Sequence, residues 1–378
     1  MEYKYKLLEY KDNTFFHPKL EIIRGKIIKK LFNRFYKICS KYKPEIRKDK
    51  LETIMTIFCW ANISHQNDPV VPFNPTNYNQ LSIDLKNYGF NAKQILTELK
   101  LDKFFNHYKK KFDKIKQKLV NKYKKKDKKP KIKIIQTQDK YQLVYKRYKV
   151  DYTETIFNKL DKYYHDNHDN HKHALYFCIL YRYQYLSGDN QQLAVLSSFK
   201  EDIRKHFNVD IELFGSCINR YASHYCSLFY DLERYFGSLG NFNNFTPIKG
   251  LYFANPPFDE TIMTTMAKKL IKSLDESKES LGFIVNVPVW DYETQRKLDH
   301  NNNNNYGGYD CKDIIVKSKY FYKEYVFRKK DFPYFNFTTN KTITATNTYI
   351  FIIKNDLLSF DLKLFEKLLI KNNLHFIK

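Results

Sequence analysis

The sequence predicts an α/β protein: an all-helical, basic stretch over residues 1–131, then a core of alternating strands and helices over 132–378. Three observations carry this. Apolar residues recur at helical spacing through the first third. Short apolar runs alternate with helical stretches through the rest, which marks an α/β sheet. Two of those runs end in loops of unusual composition, Phe214-Gly215-Ser216 and Asn255-Pro256-Pro257-Phe258. Ligands of such sheets sit at the carboxyl ends of the strands.

The elements follow in order. Leu20, Ile23, Ile27, Leu31, Phe35 and Ile38 share one helical face over residues 18–41, and Pro18 suits a first helical position. A second helix is expected over 49–63, then a proline-containing loop over 68–75 and more helix over 91–123. Strands are expected within 132–150, from Ile132, Ile134, Tyr141, Leu143 and Tyr145. A helix over 174–186 and another before a strand at 209–214 come next. Then follow a strand at 250–254, a helix at 260–274, a strand at 281–287 and a late strand at 349–353.

Composition narrows the class. At 378 residues, 43% of them hydrophobic, the chain can build a real core in one large domain or two ordinary ones. A net charge of +25 points to a polyanionic partner, nucleic acid first among them. The sequence contains no apolar run of 18 residues, so no bilayer span is expected. The N-terminal residues show no signal core, so an intracellular protein, in cytoplasm or nucleus and not secreted, is expected. The six cysteines form no Cys-x-x-Cys pair and read as reduced.

Between Lys103 and Lys133 stand fifteen lysines and two acids, Asp113 and Asp127. Two readings remain open: a solvated helix face with a lysine-rich loop, or a surface that tracks phosphates. Lys109, Lys110, Lys124 and Lys125 are the candidate contacts under the second. His165, His168, His171 and His173 cluster with Asp166 and Asp169, but on an Asn-rich connection they read as a solvated loop and no metal is expected. Trp60 reads as a core residue, with stacking on a methylated guanine as the other use of such a ring.

Asn255-Pro256-Pro257-Phe258 has the chemistry to hold an exocyclic amine during methyl transfer. The adenine amine delocalises its lone pair into the ring and is a poor nucleophile. Two acceptors on its N–H bonds localise that pair. The Asn255 side-chain oxygen and the Pro256 carbonyl can be those acceptors, with the carbonyl held by the fixed φ of two prolines. Phe258 offers a face for the base to stack on. The methyl donor would be S-adenosyl-L-methionine. The same four residues also make an ordinary turn, so the context decides.

That context resembles the phosphorylated-CTD-interacting-factor family, whose members include a cap-specific mRNA adenosine N6-methyltransferase. The resemblance runs from residue 174 to about 290, with a weaker tail to 353. It is carried by Leu180-Tyr181-Arg182-Tyr183 with Leu186-Ser187-Gly188, by the stretch 209–219, by Tyr225-Cys226-Ser227, and by Tyr235-Phe236-Gly237-Ser238. Ala254-Asn255-Pro256-Pro257-Phe258 with Glu260, Phe283-Ile284-Val285, Pro288-Val289-Trp290 and Asn347-Thr348 complete it.

The resemblance implies a Rossmann-like methyltransferase core preceded by a helical domain, with capped RNA in the groove between them. It implies that Asn255, Pro256, Pro257 and Phe258 hold the adenine. Phe214, Gly215, Ser216, Asn219, Glu260 and Trp290 would line the S-adenosyl-L-methionine pocket, and Arg182 joins the lysines as a candidate RNA contact. Each of these has a plainer use: core packing for Phe214 and Trp290, helix capping for Asn219, and a dipole-favoured first turn for Glu260. Trp60 and Trp290 lie too far apart for a WW module. None is therefore expected, nor WW-mediated binding to a polymerase tail. The expected activity is N6-methylation of the cap-adjacent first transcribed adenosine of mRNA. DNA or internal RNA adenines are the alternative substrates, and a catalytically silent RNA-binding subunit is the alternative class.

Overall fold

The computed structural model describes residues 4–7, 15–62, 68–126, 130–137, 140–165, 172–186, 192–291, 293, 294, 298 and 309–377. Ser187, Gly188, His168, His171 and the side chains of Lys124 and Lys125 lie outside them. The chain divides into two compact units. One comprises Met1–Leu8, Gln191–Tyr230 and Phe236–Lys378; the other comprises Glu9–Asn190 and Asp231–Tyr235.

The chain opens on strand β1 (Lys4–Leu7), which pairs antiparallel with the strand of residues 245–254 in its own unit. The first 131 residues are therefore not helical throughout. The helices that follow build the second unit: α1 (Pro18–Tyr42), α2 (Lys48–Ala61), α3 (Asn79–Asn87), α4 (Ala92–Leu99) and α5 (Leu101–Lys126). Pro18 does begin α1, and the His17 side chain caps it by accepting from the Lys19 N–H at 3.0 Å. Leu20, Ile27, Leu31, Phe35 and Ile38 are buried as their spacing predicts, whereas Ile22 is buried in place of Ile23. The helical stretch expected over 91–123 is made of two helices, α4 and α5. Lys100 adopts a left-handed conformation (φ 47°) that ends α4, and the bend lets Leu99 and Leu101 both be buried.

A three-stranded antiparallel meander follows, β2 (Lys133–Gln136), β3 (Lys140–Tyr145) and β4 (Tyr148–Thr153), then α6 (Glu154–Tyr163) and α7 (Lys172–Leu186). The approach of α7 to α1 is close at Gly25. A Cβ there would lie 2.9 Å from the Tyr185 ring, so a side chain would force the helices apart.

This unit also buries an ionic cluster. Arg182 on α7 donates to Glu21 (2.9 and 2.8 Å) and to Asp231 (2.7 and 2.9 Å). Arg24 donates to Glu21 at 3.0 Å and to Asp68 at 2.9 Å. Asp68 also accepts the N–H groups of Val70 and Val71, which fixes the proline-containing loop. Burial alone would raise the Glu21 pKa, but the charges of Arg182 and Arg24 hold it down at about 2.

The other unit is an α/β sandwich. Its elements are β5 (Leu193–Val195), α8 (Ser197–Phe207), β6 (Ile211–Glu212), β7 (His224–Tyr225), the single turn α9 (Tyr230–Glu233, at the unit boundary), β8 (Phe245–Ala254) and α10 (Glu260–Glu276). After them come β9 (Leu281–Pro288), α11 (Asp310–Val316), β10 (Phe321–Phe327), β11 (Tyr334–Asn336), β12 (Lys341–Ile343), β13 (Thr348–Lys354), α12 (Leu362–Lys371) and β14 (Phe376–Ile377). The main sheet runs β14-β10-β13-β9-β8-β6-β7.

Strands β7, β6, β8 and β9 are mutually parallel, while β13 enters antiparallel beside β9 and β10 antiparallel beside β13. Both faces are covered. Met263, Met266, Ala267, Leu270 and Leu274 of α10 pack on one side. Phe199 and Ile203 of α8 and Phe365, Leu368 and Leu369 of α12 pack on the other. Strands buried on both faces read as near-continuous apolar runs, as residues 250–254 of β8 and 281–285 of β9 do.

The topology picks out one edge of the sheet. From β6 the chain moves outward to β7, then returns to the opposite flank of β6 as β8 and continues away through β9. The connections leave β6 and β8 in opposite directions. Such a switch point leaves a crevice at the carboxyl ends of the strands, where ligands of α/β sheets bind. Among the described residues no helix is long and apolar enough to cross a membrane.

Candidate active site

Both loops singled out in the sequence lie at this switch point, one after β6 and one after β8. The loop after β6 is tied down from within. Glu212, buried, accepts the N–H groups of Tyr221 (2.6 Å) and Ala222 (2.9 Å) and pairs with Lys200 at 2.6 Å. Burial alone would raise its pKa, but the Lys200 charge and these hydrogen bonds bring it below the ordinary carboxylate value. The Ser216 N–H donates to Asn219 Oδ1 (2.8 Å). Ser216 Oγ accepts from the Asn219 N–H (3.1 Å) and donates to Gln192 Oε1 (2.8 Å). Ser216 and the Asn219 side-chain oxygen thus hold the loop's shape. Phe214 is half-buried, its ring 4.7 Å from that of Phe242. Gly215 lies against Tyr225, where an added Cβ would come within 3.3 Å of the ring.

The loop after β8 is built differently. Pro256 is buried, Pro257 exposed, and Asn255 and Phe258 lie between these extremes. The Pro257 carbonyl accepts the Asp259 N–H at 2.8 Å. Among the described residues the Pro256 carbonyl accepts no hydrogen bond, so an acceptor stands open between two fixed φ angles. Asp259 caps α10 by accepting from the Ile262 N–H at 3.0 Å, an arrangement whose loss costs about 1 kcal/mol. Phe258 meets Tyr334 edge-on at 6.0 Å between centroids.

Asn255 is held from behind. Its Oδ1 accepts from Asn286 Nδ2 at 2.6 Å, and the same Asn286 nitrogen donates to the Tyr334 hydroxyl at 3.2 Å. Tyr334 lies 2.8 Å from Thr348 Oγ1, which donates to the Thr346 carbonyl at 3.2 Å. Burial pushes the Tyr334 pKa up to about 12, so its hydroxyl stays protonated at neutral pH. The sequence reading missed Asn286, Tyr334 and Lys200. A signal for Asn286 was present: it is the one polar side chain in the otherwise apolar run of 281–288.

Glu260 and Trp290 come together around α11. Glu260, in the first turn of α10, accepts from Thr264 Oγ1 (3.1 Å) and faces the Cys311 N–H (3.4 Å). Burial raises its pKa above the ordinary carboxylate value. Trp290, partly exposed, lies 6.0 Å from the Tyr309 ring, and the Tyr309 hydroxyl contacts Met263 Sδ at 3.6 Å. Phe214, Phe258 and Trp290 all pack on the same core.

Among the expected RNA contacts, Arg182 must be reassigned. It is fully buried, with its guanidinium committed to Glu21 and Asp231, and presents nothing to a phosphate. Lys110 is exposed on α5, while Lys109 pairs with Asp113 at 2.6 Å.

The fold and site define an α/β protein with a topological switch point, where the two strand-end loops present the partly buried rings of Phe214 and Phe258 and a carbonyl that accepts no hydrogen bond among the described residues. Comparison with known proteins narrows this. The family described as "Phosphorylated CTD interacting factor 1 WW domain" matches residues 152–325, a range that takes in both strand-end loops and Trp290. This overturns the expectation that the chain lacks the region so described. It also removes the ground for expecting no WW-mediated binding to a polymerase tail. That expectation came from tryptophan spacing, but the matched range has Trp290 as its sole tryptophan, so the match rests on other residues. The chain is 39% identical over 120 residues to the mouse (Mus musculus) protein named mRNA (2'-O-methyladenosine-N(6)-)-methyltransferase, and 38% identical over 120 residues to the human (Homo sapiens) protein of the same name. Each alignment covers 30% of this chain and 17% of the relative.

Proposed function

We propose that this chain is an S-adenosyl-L-methionine-dependent adenine N6-methyltransferase acting on RNA. Its expected target is the first transcribed adenosine beside the 5′ cap of mRNA. The observation that carries the proposal is the pair of acceptors after β8, the Asn255 side-chain oxygen and the unbonded Pro256 carbonyl. The names of the mouse and human relatives support it, since both describe methyl transfer to N6 of an adenosine in mRNA. The cap-adjacent position follows the family resemblance drawn from the sequence.

The chemistry assigned to these residues is positioning and preorganised polarity. Asn255 and Pro256 each take one N–H of the target amine and localise its lone pair. Phe258 supplies a stacking face worth about 1–3 kcal/mol. A cap-adjacent nucleotide is unpaired, so no base need be extruded from a duplex.

When bound, S-adenosyl-L-methionine supplies an electrophilic methyl sulfonium. The residues present suit such a donor: partly exposed aromatic rings at Phe214 and Trp290, and a half-buried carboxylate at Glu260 able to take a hydroxyl or amine. Ser216 and Asn219 would contribute through the loop they shape.

The test offers the purified protein and labelled S-adenosyl-L-methionine to capped and uncapped RNAs beginning with A or G. Transfer confined to capped RNA beginning with A is expected. Equal transfer to uncapped or G-initiated RNA would overturn the cap-adjacent assignment, and transfer to duplex DNA in preference to RNA would replace the substrate class.

A further inference from the structure

We infer that Asn286 is a positioning residue that fixes which end of the Asn255 amide faces the target base, acting through a directed hydrogen-bond chain ending at the Thr346 carbonyl. The inference rests on the proposed amine-holding role of Asn255.

Asn255, Asn286 and Thr348 stand near the carboxyl end of β8, on β9 and at the start of β13, three adjacent strands of the sheet, with the Tyr334 hydroxyl joining the last two. Asn286, Tyr334 and Thr348 are buried. An amide at position 255 serves as an acceptor only when its oxygen, not its NH2, is turned to the amine. The loop alone does not choose between these, because the two ends of an amide have nearly the same shape.

The chain of partners does choose. The Thr346 carbonyl can only accept, so Thr348 must donate to it. Thr348 then has no second proton, and Tyr334 must donate to Thr348. The Tyr334 oxygen is left to accept, so Asn286 must present its NH2 there, and its other proton goes to Asn255 Oδ1. Every link follows from the last acceptor.

The orphaned atom gives the same answer. Among the described residues Asn286 Oδ1 has no hydrogen-bond partner. Turning the Asn286 amide over would bury two unpaired N–H donors instead of one unpaired oxygen, and orphaned donors are the rarer and costlier state. With Asn286 donating, Asn255 Oδ1 is fixed as an acceptor, with one lone pair engaged and the other left for the target amine.

The experiment compares Asn286→Leu and the isosteric Tyr334→Phe with wild type on the RNA the wild type methylates. It measures kcat, KM for RNA and for S-adenosyl-L-methionine, and Tm. Asn286→Leu is expected to lower kcat by roughly tenfold to a hundredfold, because a small misplacement of a reacting group has that effect. Tyr334→Phe, one link further out, is expected to lower kcat by about 3- to 10-fold, the loss of one hydrogen bond. Both should keep wild-type KM values. A structural role alone would lower Tm or the folded fraction without this graded split. Wild-type kcat in both variants, or losses confined to KM and Tm, would overturn the inference while the proposed function stands. No methyl transfer by the wild type to any RNA would overturn both.

Discussion

Two buried polar networks in this chain are built to different ends. The Glu21–Arg24–Arg182–Asp68–Asp231 cluster is ionic and closed: its side chains bond to one another and to the backbone they hold. The Asn255–Asn286–Tyr334–Thr348 chain is neutral and open. It ends on one side at a carbonyl and on the other at an oxygen with a lone pair to spare, next to a carbonyl that accepts nothing among the described residues. The first has nothing left to offer a ligand. The second is polarised toward the place where a ligand would sit. Burial marks both, so burial does not identify a site. The open end does.

The comparison breaks most visibly at Arg182. Arg182→Met leaves Asp231 without its cation and Glu21 with Arg24 alone, and breaking a buried ion pair from one side costs about 3–5 kcal/mol. Thermal unfolding should show a large fall in Tm, while kcat per folded molecule stays near wild type. A mutant of normal stability that loses RNA affinity would put Arg182 back among the RNA contacts. Asn255→Ala should behave oppositely, losing about 10²- to 10³-fold in kcat, the usual size for one preorganised group at a reacting centre. Its Tm should fall less than that of Arg182→Met, by what one orphaned Asn286 N–H costs, about 1–3 kcal/mol.

Phe258→Ala should weaken binding of the target base by about 1–3 kcal/mol, read as a higher KM for RNA. Acid sharpens the contrast further. Glu21 titrates near 2 in the folded chain against an ordinary value of 4.5. Its stabilisation is therefore complete above about 4.5 and is lost as pH falls toward about 2. Acid unfolding followed by circular dichroism should show this loss, and Glu21→Gln should flatten that part of the curve. The smallest effect belongs to α5. Lys110→Ala should lower the slope of log affinity for single-stranded RNA against log salt by about 0.7, the effect of one phosphate contact. An unchanged slope would mark a solvated face.

The parts of the fold written in local pattern were legible. Leu20 to Ile38 gave α1 by spacing, and the apolar runs gave β8, β9 and β13. What failed depended on partners distant in the chain. The strand at residues 4–7 exists because β8 offers an edge, and four residues carry no period of their own. The break at Lys100 is a backbone conformation that a lysine does not announce. The α12 helix was missed although Asp361 caps it, accepting from the Leu364 N–H at 2.9 Å, a signal that was there to read.

At the candidate site the loop after β8 was readable because its residue types carry their chemistry within four positions. Arg182 was misread because an arginine's partner decides whether it faces solvent, and its partners lie 161 and 49 residues away in sequence. Asn286 was unremarked for the same reason, 31 residues from the side chain it orients.

The central claim is that the oxygen of Asn255 and the carbonyl of Pro256 hold an adenine amine for methylation. Its most direct test is nucleoside mass spectrometry of RNA treated with labelled S-adenosyl-L-methionine and either the wild-type chain or Asn255→Ala. The account predicts label on N6 of adenosine with the wild type and its near-complete loss with Asn255→Ala. Label on a ribose oxygen or on guanine, or undiminished N6 label with Asn255→Ala, would contradict it.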